Sequence, residues 1–348
     1  MLQLRDVRLC DYTTLRIGGP AAEFVDVDAE ADLIAVVDEA DRAGVDVLII
    51  GGGSNLVVGD GGFDGRVIRV STSGVDRHTR DDQFVKIVAA AGVDWDSVVS
   101  LCVAEGLAGV EALSGIPGTV GATPIQNIGA YGQEISAVVS DVRLFDRQAR
   151  EIVQMSPAEC GFGYRTSRFK NELDRYVVLS VALRLARSSE STPIQYAELA
   201  AHLGVEIGQS APLDEVRDAV LALRRTKGMV LDATDRDTWS AGSFFTNPVV
   251  DAVRAATLPE DAPRWQMADG LVKFSAAWLI ESAGFVKGFN LADGHDAAIS
   301  GKHTLALINK GAASTSDILE LARAIFDGVS ATFGVALAPE PTLVNCAL

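Results

Sequence analysis

Positive charge is scarce in this chain. Its 348 residues include 30 lysines and arginines against 47 aspartates and glutamates, a formal net charge of −17. A surface so acidic argues against broad binding to nucleic acid or anionic membranes, and leaves room only for a local basic pocket facing a phosphorylated ligand. Long apolar runs are also missing. None approaches the roughly twenty residues that cross a bilayer. The opening stretch MLQLRDVRLCDYTTLRIGG has no apolar core followed by a small-residue cleavage site, so no secretory signal is expected and a cytoplasmic setting is. Cysteine and histidine are few and scattered. Cys10, Cys102, Cys160 and Cys346 form no disulfide framework, and His78, His202, His295 and His303 form no metal-ligand cluster, so no protein-bound metal is expected.

What is present is a mixture of strands and helices without strict alternation, which predicts an α+β protein. EFVDV (23–27) reads as a strand, residues 29–44 as a helix ending on Gly44, and VDVLII (45–50) as a buried strand. Strands follow at 67–70, 84–92, 142–147 and 176–186. Residues 94–106 read as a helix with Asp94 as its N-cap and Gly106 as its stop. Further helices are expected at 214–228, 275–284 and 316–334. Boundaries are expected near residues 72 and 228. There is no internal repeat and no low-complexity linker.

Two glycine-rich stretches stand out. LIIGGGSNLVV (48–58) interrupts an apolar run with Gly51, Gly52 and Gly53, followed by Ser54, Asn55 and Leu56. Such a loop lets several backbone N–H groups converge on one anion, with pyrophosphate the usual occupant. The apolar residues that follow rule out the dinucleotide fingerprint, which needs a helix there, and no Gly-Lys-Ser/Thr follows to make a P-loop. A tight turn between strands would read the same way. The second stretch, LSGIPGTVGATPIQNIGAYGQE (113–134), is too irregular for a helix and too poor in charge for disorder, so a functional loop is expected. Small residues there would let a ring or a diphosphate lie against bare backbone. Two such loops suggest one long dinucleotide gripped twice.

TTLRIGG (13–19), LIIGGGSNLVV (48–58), GIPGTVGATPIQNIGAYG (115–132), YRTSRFK (164–170), SAGSFFTNP (240–248), AAWLIESAG (276–284) and GKHTLALIN (301–309) occur in that order. Together they resemble the UDP-N-acetylenolpyruvoylglucosamine reductases, the MurB flavoenzymes of peptidoglycan synthesis, over nearly the whole chain. The resemblance implies an FAD-binding fold of the vanillyl-alcohol-oxidase (PCMH) type in two subdomains, plus a C-terminal α+β substrate-binding domain. It places subdomain 1 at 1–72, joined by 335–348, subdomain 2 at 73–228, and the substrate domain at 229–334. FAD would be held non-covalently. Gly51, Gly52 and Gly53 would admit its pyrophosphate, beside Ser54, Asn55 and Leu56. Gly115, Ile116, Pro117 and Gly118, with Gly121 and Ala122, would form a second wall. Ile125, Gly129 and Tyr164 complete the expected cofactor contacts.

The implied reaction reduces an enolpyruvyl ether to a lactyl ether. NADPH would reduce FAD, and flavin N5 would give hydride to the vinyl carbon of UDP-N-acetylglucosamine enolpyruvate. Charge then builds as an enolate, which must be stabilised and protonated. Arg165, in YRTSRFK, suits the substrate carboxylate, because a guanidinium pairs bidentately and keeps its proton. Ser243, in AGSFF, suits the proton donor, and Glu340, in LAPEPTLV, matches the family's third catalytic residue. Where the family often continues with Val-Arg, this chain has Pro341 and Thr342. For the substrate, the resemblance implies Tyr196, of the longer tyrosine-loop type, with Lys227, Asn247, His303 and Tyr131. Outside those motifs the plainer readings are a basic helix end for Lys227, a strand-edge residue for His303, and core for Tyr131 or Tyr164. The expected partner is the small-molecule substrate alone, with no nucleic acid and no membrane insertion, and a monomer is expected. Two rivals remain at this stage: an FAD-linked oxidase of sugars or alcohols on the same fold, and a non-enzymatic nucleotide-binding relative.

Overall fold

The structure, a computed structural model, describes residues 1–79, 82–267, 270–292 and 294–348. The chain groups into two compact units, each assembled from three stretches. The first takes Met1–Val7, Ala21–Gly52 and Asp64–Val230, and the second takes Arg8–Pro20, Gly53–Phe63 and Leu231–Leu348.

Among the described residues the first unit holds two larger sheets and a short hairpin that pairs Gly129–Ala130 with Gln133–Glu134. One runs in the order Leu2–Leu4, Ala21–Val27, Phe63–Val70, Val47–Ile50, with the last two strands parallel and Ile49 opposite Ile68. Helix Glu30–Ala43 buries Leu33, Val36, Val37 and Ala40, one stripe at helical spacing. It ends where Gly44 turns left-handed at φ +67°. The second sheet runs Glu151–Met155, Val139–Asp146, Tyr176–Arg187, Phe84–Ala90, Val75–Thr79. The pairings along it are antiparallel. Strand Phe84–Ala90 alternates, so Val85, Ile87 and Ala89 are buried while their neighbours are half-buried. Strand Tyr176–Arg187 lies between two partners and is apolar almost throughout. Helix Trp95–Ala104 begins as its sequence predicts, with the Asp94 side chain accepting the Ser97 N–H. A shared core joins both sheets through Val25, Ile68, Ile87, Trp95 and Val181. A smaller cluster of Ile194, Leu199, Val216 and Val220 packs helix Ala197–Leu203 on helix Leu213–Thr226. The irregular stretch 113–134 is more ordered than expected, with a 3-10 turn at Val120–Ala122 running into the short helix Thr123–Gln126.

The second unit packs its own core from Leu15, Ile17 and Val57 together with Phe244, Phe245, Leu279, Leu307 and Ile325. Strand Leu56–Val58, which follows the triple glycine, runs parallel to Thr342–Val344 near the chain's end. A hairpin pairs Ala297–Ile299 with Leu307–Asn309. Helix Thr315–Phe333 opens on a Ser314–Asp317 capping box, and Asp60 adds a second cap by accepting the N–H groups of Thr315 and Ser316. Among the described residues no helix is long and apolar enough to cross a membrane.

Candidate functional site

The triple glycine answers first to the chain's own backbone. A Cβ on Gly52 would stand 2.8 Å from the Gly118 Cα, one on Gly51 would collide with the Thr119 hydroxyl, and one on Gly53 with the Tyr12 carbonyl. In the first unit the two glycine-rich stretches thus interlock, backbone against backbone. Gly118 itself sits at φ +120°, where a side chain is strained. No backbone acceptor among the described residues takes the N–H of Gly52, Gly53 or Asn55. Unclaimed amide donors in a loop without side-chain bulk suit a pyrophosphate, so the residues present fit a dinucleotide cofactor. Neither stretch contains a histidine or cysteine that could link covalently to a flavin.

The second stretch is pinned from several sides. Trp95 Nε1 donates to the Leu113 carbonyl at 3.1 Å, and the Trp95 N–H donates to the Gly118 carbonyl at 3.0 Å. The Gly115 N–H donates to Asp96 at 2.6 Å, while Arg217 clamps the same carboxylate with two bonds of 2.7 and 2.8 Å. Burial pushes the Asp96 carboxyl up, but Arg217 and the Gly115 N–H more than offset it, leaving it below the usual carboxylate range. Gly121 lies against Ala91 and Ile116 packs on the first unit's core. Pro117 and Ala122 lie on this run, with Ala122 closing the 3-10 turn.

YRTSRFK grips the far end of the same stretch. Arg165 donates from Nη2 to the Gly129 carbonyl at 2.8 Å and from Nη1 to the Asn127 carbonyl at 3.5 Å. Ser167 Oγ donates to the Ile125 carbonyl, and Lys170 Nζ to Gln126 Oε1. The Tyr164 ring lies 5.8 Å from the Arg165 guanidinium carbon. Arg165 adopts φ +52° and Tyr131 φ +47°. Such left-handed backbone in non-glycine residues is uncommon and tends to gather at functional sites.

A tyrosine and cation cluster also lies in the first unit. Tyr131 and Tyr196 meet edge to face at 5.4 Å, and Lys227 Nζ lies 5.6 Å from the Tyr131 ring centre. Lys227 also pairs with Glu198 at 2.5 Å. Burial pushes the Tyr131 hydroxyl up to about 12. Arg224 joins this cluster without having been singled out from the sequence. Its Nη2 donates to the Met229 carbonyl, and its buried Nε has no acceptor among the described residues. Burial pulls its guanidinium down to about 10, and the nearby positive charge of Arg165 pulls the same way. Two cations this close, with Lys227 beside them, make a place for a multiply charged anion. The only sequence signal for Arg224 was the Arg-Arg pair ahead of Lys227.

The second unit brings the irregular backbone segments that carry Ser243 and Glu340 side by side. The Glu340 N–H donates to the Phe244 carbonyl at 2.8 Å, and Phe245 bridges Pro339. Gly242, at φ +73°, turns the chain just before Ser243. On the other side, the Phe244 N–H donates to the Leu305 carbonyl, which draws the His303 loop alongside. The His303 N–H donates to Ser300 Oγ, and that hydroxyl in turn donates to Asp237. Asn247 accepts the Ala276 N–H at 2.9 Å through Oδ1, so it helps start helix Ala276–Ser282. Gly53, Ser54, Asn55 and Leu56 belong to this second unit, with Leu56 paired to Thr342.

Known proteins align with this arrangement along its whole length. The family model described as an FAD binding domain matches residues 21–154, and the one described as the C-terminal domain of UDP-N-acetylenolpyruvoylglucosamine reductase matches residues 233–344. A UDP-N-acetylenolpyruvoylglucosamine reductase of Thermobifida fusca is 53% identical, over 99% of this chain and 98% of that protein. One from Nocardia farcinica is 52% identical, over 98% and 90%. The crystal structure of the reductase MurB from Thermus caldophilus is similar with a TM-score of 0.67 and 25% identity, covering 99% of this chain and 100% of that one. The α+β FAD-binding fold and FAD as cofactor, both implied by the family resemblance, agree with these matches. The chain belongs to the UDP-N-acetylenolpyruvoylglucosamine reductase family.

Proposed function

We propose that this protein reduces UDP-N-acetylglucosamine enolpyruvate to UDP-N-acetylmuramate for peptidoglycan synthesis, with NADPH as the source of hydride, in the cytoplasm and as a monomer. Bound FAD supplies the chemistry of hydride transfer from NADPH to the vinyl carbon. The chain's own residues do the rest. Arg165, fixed by two loop carbonyls, pairs with the substrate carboxylate, and Arg224 adds a second positive charge as the enolate forms. Ser243 gives its hydroxyl proton to the carbon next to the carboxylate, and Glu340 polarises the enol. Tyr131, Tyr196 and Lys227 take the nucleotide end, while Asn247 and His303 contact the sugar diphosphate. The cofactor loops act as 51–56 and 115–122 with Ile125, Gly129 and Tyr164. The threefold division at 1–72 with 335–348, 73–228 and 229–334 belongs to this reading.

The observation that carries it is the backbone hydrogen bond from the Glu340 N–H to the Phe244 carbonyl. It brings the backbones that carry Ser243 and Glu340, distant in sequence, side by side, which supports a shared role for the two at one enolate. The test is an anaerobic visible spectrum of the purified protein. Flavin absorbance should bleach with NADPH and return on adding UDP-N-acetylglucosamine enolpyruvate. A flavin that bleaches but is restored by oxygen and not by the sugar nucleotide would overturn the substrate assignment. Steady oxygen consumption with an alcohol and no NADPH would replace the reductase by an oxidase.

A further inference from the structure

Glu111 is fully buried, and no described lysine or arginine forms an ion pair with it. A carboxylate in that position is costly unless donors surround it. They do. Oε2 accepts the Gly109 N–H at 2.6 Å. Oε1 accepts Gln133 Nε2 at 2.8 Å, the Thr192 N–H at 2.9 Å and the Thr192 hydroxyl at 3.3 Å. Every contact is a donor, which matches an acceptor-only group. Gln133 closes the ring by accepting the Ala112 N–H at 2.8 Å and donating to the Thr192 hydroxyl at 2.8 Å.

The donors come from three separate stretches of the first unit, and each leads to a part of the site. Glu111 stands four residues before Gly115, at the entry to the second glycine-rich run. Gln133 follows Tyr131 by two residues. Thr192 precedes Tyr196 by four, and Ile194 between them is buried in the small cluster with Leu199 and Val216. The two tyrosines whose rings meet at 5.4 Å therefore branch from segments joined at one carboxylate. Glu111, Tyr131, Gln133, Thr192 and Gln195 line the cleft between those segments. Tyr196 itself is 45% exposed, so packing alone holds its ring loosely.

We propose that Glu111 is a positioning residue for substrate binding: its carboxylate ties the roots of the Tyr131 and Tyr196 segments to the cofactor loop and so sets the tyrosine pair for the nucleotide end of the substrate. The inference rests on the reading of these tyrosines as substrate contacts. It acts through Tyr196, so its signature is non-additivity.

The test is a double-mutant cycle on the flavin-loaded protein, with Glu111→Gln and Tyr196→Ala alone and combined. The readout is the dissociation constant of UDP-N-acetylglucosamine enolpyruvate, from its perturbation of the oxidised flavin spectrum, which needs no turnover. Glu111→Gln should raise that constant about tenfold, the worth of one hydrogen bond to a charged group. In the Tyr196→Ala background the same change should cost less than about twofold. Flavin content and the rate of bleaching by NADPH should stay near those of the unsubstituted protein. Thr192→Val, on an exposed residue, removes one hydroxyl of the ring and should weaken binding about threefold with the same dependence on Tyr196, which keeps the test open if Glu111→Gln fails to fold. A full tenfold penalty in both backgrounds would overturn the inference alone. Unchanged binding in Tyr196→Ala would overturn both the tyrosine assignment and the inference.

Discussion

Arg165 combines two demands on one residue. Its backbone takes the left-handed conformation at φ +52°, which costs a side-chain-bearing residue about 1 kcal/mol or more. Its guanidinium is aimed by the carbonyls of Gly129 and Asn127. A lysine there keeps the charge and loses the planar fork. Arg165→Lys should lower kcat/KM at least about tenfold while flavin content holds, as steady-state kinetics on the loaded enzyme would read. An unchanged kcat/KM would remove Arg165 from the mechanism. In the proposed mechanism Ser243 acts only in the second half of the reaction. In Ser243→Ala, stopped-flow traces should show flavin reduction by NADPH intact and reoxidation by substrate slowed about 100-fold. Equal slowing of both halves would sink the proton-donor assignment.

At the scale of elements, one turn illustrates how buried charge is managed. Asp146 ends strand Val139–Asp146 and is 4% exposed. Oδ1 accepts the N–H groups of Gln148 and Ala149, closing the turn into strand Glu151–Met155. Oδ2 takes two bonds from Arg175, at 3.1 and 2.9 Å. Burial pushes this carboxyl up, while Arg175 and the turn amides pull it further down, so it lies below the usual carboxylate range. With the folded value below the unfolded one, its stabilisation is complete above the unfolded value, about 3.9, and is lost as pH falls through the folded value. Asp146→Asn should cost about 2 kcal/mol at neutral pH, and the gap in urea midpoint should close as pH falls below about 4. A gap that stays constant down to pH 3 would contradict the linkage.

Such elements also explain what could be read from residues alone. Helix Glu30–Ala43 and strand Tyr176–Arg187 announce themselves by apolar spacing, and Asp94 and Gly44 mark ends by their chemistry. Strand Val75–Thr79 does not. Its residues, VDRHT, are mostly exposed at the sheet's edge and show no apolar alternation. Helix Ala197–Leu203 is held by the small cluster, which appears only once Ile194 and Val216 are in place. The motif residues of the proposed site come from the family resemblance. Arg224 and Glu111 were not legible, because each owes its character to neighbours far along the chain: Asp96, Tyr131 and Arg165 for one, and Gln133 and Thr192 for the other.

For the whole molecule, the division of the chain matters more than its length. Each unit draws on three stretches, so no single cut separates them. The second unit's core includes Leu15, Ile17 and Val57, which lie far ahead of Leu231–Leu348. Three fully buried aliphatic side chains contribute about 1.5–3 kcal/mol each, comparable to the entire stability of a small domain. Fragment 231–348, which contains the whole region matched by the C-terminal family model, should therefore lack a cooperative urea transition by circular dichroism. A sharp two-state transition in that fragment would show that Leu15, Ile17 and Val57 are dispensable.

The interlock of Gly52 with Gly118 also bears on how this protein can change over generations. A methyl group on Gly52 meets a backbone atom and not a movable side chain, so no rotamer makes room for it. Codon changes there lead nowhere, and neighbours cannot rescue them one at a time. An inhibitor that bound only the amide hydrogens of this loop would face a target with almost no substitution left by which to escape.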